Sequence, residues 1–340
     1  MKNIEEKERL KKIEYLYTRV YKIINRLILY SKRFCENLAT PDGLIEYLNC
    51  LDRGRGSRAS KYTYIYEFDY FVMTKSTKTL KAIRKLLNNN NLPMNEDVLI
   101  LVRSLLENYI MSQYIRTSIR SKDVEKMEKA IVDFIMNPYE MAMGHAKKGK
   151  LKGKYVIIND KDEFLGQLVS GPSKYVGESE QTYFRPLYDF LCKYSHCSFD
   201  IMYCYFESEN MSFSTEKVNG PFWALICTLF VFTKLYENIV LAKGEDIENI
   251  KGHFDVFYDS LELQLEMLKE HIEIFKEGYR DIDREFLSLI IEKGAKDNFA
   301  HERIALAKAM EEDIKYGTTS DISKCYDEKK CKFIRNYKHK

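Results

Sequence analysis

The chain has 340 residues, with only 15 glycines and 6 prolines against 25 tyrosines and 19 phenylalanines. Because turns and hairpins draw heavily on glycine and proline, this composition argues against a β-sandwich, a barrel or a disordered chain and favours long helices. Hydrophobic residues (45%) and charged residues (31%) are enough for a sizeable core under a solvated surface, and a net charge of +3 does not by itself indicate a nucleic-acid partner. We therefore predict an all-α fold, a multi-helix bundle.

Helical periodicity dominates the first half of the chain. Apolar residues recur at three- and four-residue steps over residues 4–39, which predicts an amphipathic helix. Residues 1–33 hold ten Lys or Arg and four Glu, a local excess of positive charge. Further helices are predicted at 43–51, 62–88, 95–119 and 121–146.

Two loops are rich in basic side chains. One follows Asp52, and the other is Lys147–Lys154, which has five lysines, two glycines and no acidic residue. A solvated surface accounts for both loops, and so does contact with phosphate groups. If RNA is bound, the residues expected to contact it are Arg53, Arg55, Arg58, Lys147, Lys148 and Lys150.

The second half begins with Tyr155–Ile158, the one segment with the character of a strand. Helices are predicted after it at 161–169, 186–206, 221–243, 246–278, 279–293 and 297–316. The apolar run Phe222–Phe232 falls short of the ~20 residues that a membrane span needs, so we expect a buried helix and no membrane partner.

These elements predict three parts along the chain. A helical core is expected over 1–243, and a charged helical extension over 244–316 is expected to pack on it. Residues 317–340 are rich in lysine and are predicted to form a basic, flexible tail.

The cysteines and the N-terminal residues favour a cytoplasmic protein. Eight cysteines are scattered without a CxxC pair, and the first residues carry acids instead of the apolar segment of a signal peptide. Reduced thiols are therefore expected in place of a disulfide framework or a structural zinc site. Glycine-rich nucleotide loops and the zincin and hydrolase signatures are absent from the sequence, so we expect no cofactor and no metal.

The helix predicted over 95–119 carries two charged residues on a face that should be apolar. On a helical wheel, Arg103 and Glu107 lie between Leu99, Ile110 and Tyr114. Their i, i+4 spacing allows them to pair. Because an unpaired charge in apolar surroundings is costly, the two residues form either a structural ion pair or part of a site.

The helix predicted over 186–206 offers a titratable partner. On its wheel, His196 lines up with Asp189 and Cys192, and Asp189 would fix the tautomer of the imidazole if the two side chains met. A satisfied core histidine accounts for the same pattern. Cys192 and His196 supply only two metal ligands, so a metal site is not expected here.

Two strings of the sequence resemble a known family. LVRSLLENYIMSQYI contains Arg103-x-x-x-Glu107, and YDFLCKYSH contains Tyr188-x-x-x-Cys192-x-x-x-His196. Over about residues 95–240, the chain resembles an uncharacterised all-helical bacterial family with an RSxxE helix and a YxxxC/SxxxH helix. That family is distantly similar to HEPN (higher eukaryotes and prokaryotes nucleotide-binding) bundles. The resemblance implies that Arg103, Glu107, Tyr188 and His196 converge in the centre of the bundle.

HEPN proteins are often ribonucleases of toxin–antitoxin and phage-defence systems. The resemblance therefore implies a metal-independent ribonuclease or a nucleotide-acting effector in bacterial stress or phage defence. The HEPN ribonuclease signature has four to six residues between an Arg and a following His, and no histidine of this chain has an arginine at that distance. Arg103 and His196 would replace it from two helices, with Glu107, Tyr188 and Asp189 completing the expected catalytic set.

Two other functions stay open at this point. One is a non-catalytic interaction or sensor module, in which the polar cluster only holds the core together. The other is an RNA-binding protein that does not cleave its ligand and uses the basic residues named above. The expected partners are accordingly RNA or a nucleotide, a second protein, or another copy of the chain.

Overall fold

The structure is a computed structural model. Helices make up most of the residues that it describes. The described residues are 2–36, 58–87, 94–120, 142–145, 147, 152–158, 172–196, 198–217, 219, 221–241, 250–274 and 285–294. The helices are α1 (Lys2–Glu36), α2 (Arg58–Leu86), α3 (Asn95–Arg120), α4 (Phe184–Ser195), α5 (Phe222–Ile239), α6 (Ile250–Ile274) and α7 (residues 285–294). The predicted all-α class is confirmed. The predicted helices at 43–51, 161–169 and 297–316 and the tail at 317–340 lie outside the described residues.

Helix α5 is the centre of the core. Of its length, 89% is buried, and no side chain from Phe222 to Tyr236 is left at the surface. In the described part of the chain, α5 alone is long and apolar enough to cross a membrane. Buried side chains continue beyond the apolar run Phe222–Phe232 and include Lys234, Tyr236 and Ile239. Burial of this kind is also what the core helix of a folded domain requires.

Helices α1 and α6 pack on each other and on α5. The buried stripe of α1 follows the spacing of three and four residues that places side chains on one face of a helix. Its members are Leu16, Val20, Ile23, Ile24 and Leu27. Ion pairs between Arg19 and Glu266 and between Arg26 and Asp259 flank this interface. Helix α6 belongs to the predicted extension over 244–316, and it packs against helices of the predicted core.

Helix α4 ends at Ser195, whereas the sequence predicted a helix that reaches residue 206. The backbone of the next residue, His196, is extended, with φ −120° and ψ 152°. Ser198 then caps a 3₁₀ helix over Phe199–Cys204, because its hydroxyl accepts a hydrogen bond from the amide of Asp200 (3.3 Å). A serine in this capping role marks a new helix start and explains the early end of α4.

Two short antiparallel hairpins complete the described part. Strand β1 (Ala142–His145) pairs with β2 (Tyr155–Ile158), so the predicted strand has a partner. That partner, β1, lies in the last residues of the helix predicted over 121–146, so the helix prediction is wrong over Ala142–His145. A strand needs a paired neighbour to satisfy the hydrogen bonds of its backbone. Strands β3 (Phe206–Glu207) and β4 (Ser212–Phe213), which were not predicted, form the second hairpin.

The chain divides into two compact units. Unit 1 consists of Met1–Asn37, Met73–Tyr109 and Ser179–Lys340, and unit 2 consists of Leu38–Val72 and Ile110–Glu178. Each unit draws on segments that are distant in sequence. Unit 2 contains the β1–β2 hairpin, and the candidate site described below lies in unit 1.

Candidate functional site

Arg103 and Glu107 face each other across one turn of α3. The Nη2 of Arg103 lies 3.2 Å from the Oε1 of Glu107, and the two side chains retain 24% and 30% of their surface exposed. Their neighbours Leu99 and Ile110 are buried. The ion pair therefore sits at the border of an apolar face, where its charges still reach solvent.

Helix α4 supplies two hydroxyl groups to the same guanidinium. Nη2 of Arg103 donates a hydrogen bond to the hydroxyl of Tyr188 (3.1 Å), and Nη1 donates to Oγ of Ser195. The Tyr188 hydroxyl in turn donates to Oε1 of Glu107 (3.3 Å), and the guanidinium lies 5.2 Å from the centre of the Tyr188 ring. We refer to Arg103, Glu107, Tyr188 and Ser195 as the Arg103 cluster.

The electrostatics of the Arg103 cluster keep the arginine charged and keep Tyr188 and Cys192 protonated. Burial opposes the charge of Arg103, but the hydrogen bond with Tyr188 and the nearby Cys192 and Glu107 raise its pKa overall. Burial raises the pKa of Tyr188 and of the Cys192 thiol, although Arg103 lowers both in part. Cys192 is thus a protonated thiol at neutral pH, which suits neither a nucleophile nor a metal ligand.

The guanidinium is more firmly oriented than a surface arginine. Three side chains from two helices hold its two terminal nitrogens. Among the described residues, its Nε has no hydrogen-bond partner. A buried donor left without an acceptor lowers stability, so such atoms in native proteins call for an explanation.

His196 and Asp189 do not join the cluster through any described contact. His196 is exposed at the C-terminal cap of α4, one residue beyond Ser195. Asp189 is exposed as well, and its Oδ2 lies 3.6 Å from the Nε of Arg185. The structure therefore brings Arg103, Glu107 and Tyr188 together, and the residue at the end of α4 that contacts Arg103 is Ser195 and not His196.

The polar stripe on α4 differs from the predicted one, because Tyr188 and Ser195 each stand one residue before the predicted Asp189 and His196. Tyr188, Cys192 and Ser195 are spaced four and three residues apart and lie on the face that meets Arg103. The predicted stripe of Asp189, Cys192 and His196 assumed that the helix continues past Ser195. Because α4 ends there, the spacing Tyr188-x-x-x-Cys192-x-x-Ser195 is the pattern in the sequence that would have identified the correct face.

The predicted RNA-binding residues are only partly described. Arg53, Arg55, Lys148 and Lys150 lie outside the described residues, as does the side chain of Arg58, the first residue of α2. Lys147 is exposed, and so are Lys152 and Lys154 at the turn between β1 and β2.

A second cluster of charged residues, which the sequence did not predict, lies inside unit 1. Lys234 on α5 is only 2% exposed, and its Nζ lies 3.8 Å from Oε1 of Glu180 and 3.7 Å from Oε2 of Glu237. Tyr109 donates a hydrogen bond to Oε1 of Glu180 (2.5 Å), as does Tyr183 (3.3 Å). We refer to these five residues as the Lys234 cluster.

Two carboxylates share one ammonium in the Lys234 cluster. Burial raises the pKa of Glu237 to about 7, against the opposing effect of Lys234 and with a further contribution from Glu180. Burial and Glu180 also raise the pKa of Tyr109, which keeps this phenol protonated as a donor. Within the described residues, Oε2 of Glu180 accepts no hydrogen bond. The sequence signal was Lys234 with Glu237 three residues later in an apolar helix.

Buried His253 forms a third polar group. Its Nδ1 meets the hydroxyl of Tyr236, and its ring packs edge-on to Tyr30 with the ring centres 4.8 Å apart. Burial, with a contribution from Arg33, lowers the pKa of His253 to about 4. Gly252 allows the approach, because a Cβ at that position would lie 2.3 Å from the Tyr30 oxygen. His253 is therefore a neutral core residue.

Over the described ranges, no group of three or more His, Cys, Asp or Glu residues is arranged to hold a metal ion.

Comparison with protein-family models, with curated proteins and with solved structures finds no match.

Proposed function

We propose that the chain is an HEPN-like helical effector that acts on the phosphate groups of RNA or of a nucleotide in bacterial stress or phage defence. The observation that carries the proposal is the Arg103 guanidinium, which side chains from two helices hold in one orientation while a quarter of the whole Arg103 side chain remains exposed. Guanidinium groups bind phosphate oxygens through paired hydrogen bonds, and a preoriented one loses less entropy on binding.

Each member of the Arg103 cluster has a separate task in this proposal. Arg103 binds a non-bridging phosphate oxygen and stabilises the charge that develops on it. Glu107 and Tyr188 are positioning residues, because they contact Arg103 and each other and hold the guanidinium in place. The Ser195 hydroxyl accepts from Arg103 and fixes the side of the guanidinium nearest the end of α4.

His196 is the residue proposed to transfer the proton. It is exposed and directly follows Ser195, so its backbone lies one residue from a group that Arg103 contacts. In ribonucleolytic transesterification, His196 takes the proton of the ribose 2′-hydroxyl as the new oxygen–phosphorus bond forms. The bond from phosphorus to the 5′-oxygen breaks, that oxygen takes a proton from water, and a 2′,3′-cyclic phosphate is left.

The test is cleavage of a labelled single-stranded RNA by the full-length chain and its variants. Arg103→Ala and His196→Ala should each lower the cleavage rate by at least 100-fold, whereas the folded fraction stays unchanged by circular dichroism. Arg185→Ala is the matched control, since Arg185 forms an exposed i, i+4 ion pair with Asp189 on α4. Unchanged cleavage in both the Arg103→Ala and the His196→Ala variant would contradict the proposal.

A non-catalytic interaction or sensor module is the second candidate function. It is favoured by the fact that both terminal nitrogens of Arg103 already have protein partners and that no described contact joins His196 to the cluster. In this case, Arg103→Ala lowers the free energy of unfolding without any effect on RNA cleavage, and His196→Ala changes nothing. RNA that binds without being cleaved would support the third possibility, provided that its affinity falls steeply with salt.

A further inference from the structure

A row of large apolar side chains lies exposed on the 3₁₀ helix that follows α4. Since this type of helix has three residues per turn, Phe199, Met202 and Tyr205 fall on one face, with 89%, 41% and 40% of their surface exposed. Ile201 and Cys204 occupy the opposite face and are buried. The segment thus places one apolar row in the core and a second one in solvent.

The β3–β4 hairpin extends this exposed surface. Phe213 is 67% exposed and packs edge-on against Phe206 across the hairpin, with the ring centres 5.6 Å apart. Met211 in the turn is 76% exposed and has a φ of 49°, a conformation that glycine or asparagine adopts more easily. We call Phe199, Met202, Tyr205, Met211 and Phe213 the apolar ridge.

Polar side chains hold the backbone under the apolar ridge in place. The ammonium of Lys217 donates to the carbonyl oxygens of Tyr203 (2.6 Å) and Phe206 (2.8 Å). The amide of Asn219 donates to the carbonyl oxygen of Cys204 (2.9 Å) and to Oε1 of Glu96 (2.7 Å). A surface fixed in advance loses less entropy when it binds a partner.

The rim of the apolar ridge is acidic. Residues 199–216 contain no Lys or Arg and four acidic residues, which are Asp200, Glu207, Glu209 and Glu216; of these, Asp200 already pairs with Lys193 on α4 (3.6 Å). The next cation along the chain is Lys217, and its ammonium already donates hydrogen bonds to the carbonyl oxygens of Tyr203 and Phe206. A group of five large exposed apolar side chains is typical of a contact surface, and the acidic residues around it favour a basic partner with apolar side chains.

A segment of this chain has the required chemistry. Residues 329–340 read KKCKFIRNYKHK, with six Lys or Arg, no acidic residue and three large apolar side chains. These three are Phe333, Ile334 and Tyr337. The connecting residues 295–328 span roughly 110 Å when extended, so the ridge of the same chain or of a second copy is within reach.

We propose that residues 329–340 bind to the apolar ridge, with their lysines against the acidic rim. The contact is independent of the proposed function, because it uses none of the residues of the Arg103 cluster. Since opposite charges near a surface are screened by salt, the contact should weaken as the ionic strength rises.

Cysteine cross-linking in the full-length chain tests the contact. A short bismaleimide should join Met211→Cys to the native Cys331, with a yield at least five times that obtained with Leu289→Cys, an equally exposed control on α7. Peptide mass spectrometry identifies the linked residues, and the product is a monomer if the ridge of the same chain is used or a dimer if a second copy is used. Equal yields from the two variants would overturn the proposal.

Hydrogen exchange provides a second measurement without an added cysteine. Lys329→Glu, Lys330→Glu and Lys332→Glu together should speed amide exchange over residues 199–213 and reduce the cross-linking yield at least five-fold. The matched control replaces the same three residues by arginine and should retain slow exchange. Exchange over 199–213 that is identical in the Glu and Arg variants would contradict the contact.

Discussion

The Arg103 cluster and the Lys234 cluster combine the same chemical groups in different surroundings. Each contains a cation, at least one carboxylate and tyrosine hydroxyls that donate to that carboxylate. The side chain of Arg103 is 24% exposed, whereas that of Lys234 is 2% exposed. Exposure of the cation therefore separates two clusters that look alike by composition.

This difference determines which cluster is able to meet a ligand. Charged groups that are fully desolvated depend on one another, and removal of one leaves an uncompensated charge in the core. Charged groups at the surface stay partly hydrated, and a ligand can replace their water. We infer that the Lys234 cluster stabilises the fold, and that the Arg103 cluster is the one open to function.

The largest effect is expected from Lys234→Met, which leaves Glu180 and Glu237 without their cation. The loss in the free energy of unfolding should be about 3–5 kcal/mol, the range typical when one partner of a buried ion pair is removed. Urea unfolding followed by circular dichroism measures it. Lys193→Met is the control, because the ion pair of Lys193 with Asp200 is exposed and should be worth less than about 1 kcal/mol.

Glu237 should make stability depend on pH. With a pKa of about 7 in the folded protein, Glu237 holds its proton between pH 4.5 and 7, where the unfolded chain has lost it. Its contribution to stability is therefore largest at low pH and is lost as the pH rises through 7. Relative to Glu237→Gln, the wild-type chain should gain about 3 kcal/mol between pH 7.5 and 4.5.

The comparison with Glu237→Gln is needed because His253 acts in the opposite direction. With a pKa of about 4 in the folded protein, His253 stays neutral where the unfolded chain is protonated, so stability falls as the pH drops from 6.5 towards 4. The two contributions therefore oppose each other in the wild-type profile, and the comparison with Glu237→Gln isolates that of Glu237. Glu209→Gln, an exposed control, should leave this profile unchanged, and a flat difference between wild type and Glu237→Gln would contradict the prediction.

Arg103→Ala should cost less stability than Lys234→Met. Glu107 remains partly hydrated after the change, so the loss is that of surface hydrogen bonds and of packing on Tyr188, about 1–2 kcal/mol. Urea unfolding measures this loss too. A loss as large as that of Lys234→Met would show that the Arg103 cluster is as structural as the Lys234 cluster.

The smallest effect is expected from Tyr188→Phe, which removes only the hydroxyl between Arg103 and Glu107. The ring stays in place under the guanidinium, so the free energy of unfolding should fall by about 0.5–1 kcal/mol. A loss in the free energy of RNA binding that exceeds this loss in the free energy of unfolding would identify Tyr188 as a positioning residue. Arg103→Lys, which keeps the charge but loses the fork of donors, should reduce affinity in the same way.

The sequence predicted the long helices well because their periodicity is local information. Helices α1, α3 and α5 begin and end within a few residues of the predictions. The end of α4 was missed because Ser198, the cap of the following 3₁₀ helix, was read as part of a continuous helix. Strand β1 was missed because its identity depends on pairing with β2.

The candidate site was predictable where charges broke an apolar pattern. Arg103 and Glu107 stood out on the wheel of α3, and the motif around Tyr188 supplied their partner. Ser195 was not selected because a hydroxyl is unremarkable on any helix face. The Lys234 cluster depends on Glu180, a residue from a different segment, and no pattern within α5 reveals that partner.

The two methionines of the apolar ridge make this surface sensitive to oxidants. Met202 and Met211 present their thioethers to solvent, while core methionines such as Met73 and Met267 are fully buried. Peroxide should therefore oxidise Met202 and Met211 before Met73 and Met267, which turns two apolar side chains into polar sulfoxides. Purified protein that has aged in air should lose the binding of apolar partners at this surface before it loses its fold. Methionine sulfoxide reductases should restore that binding.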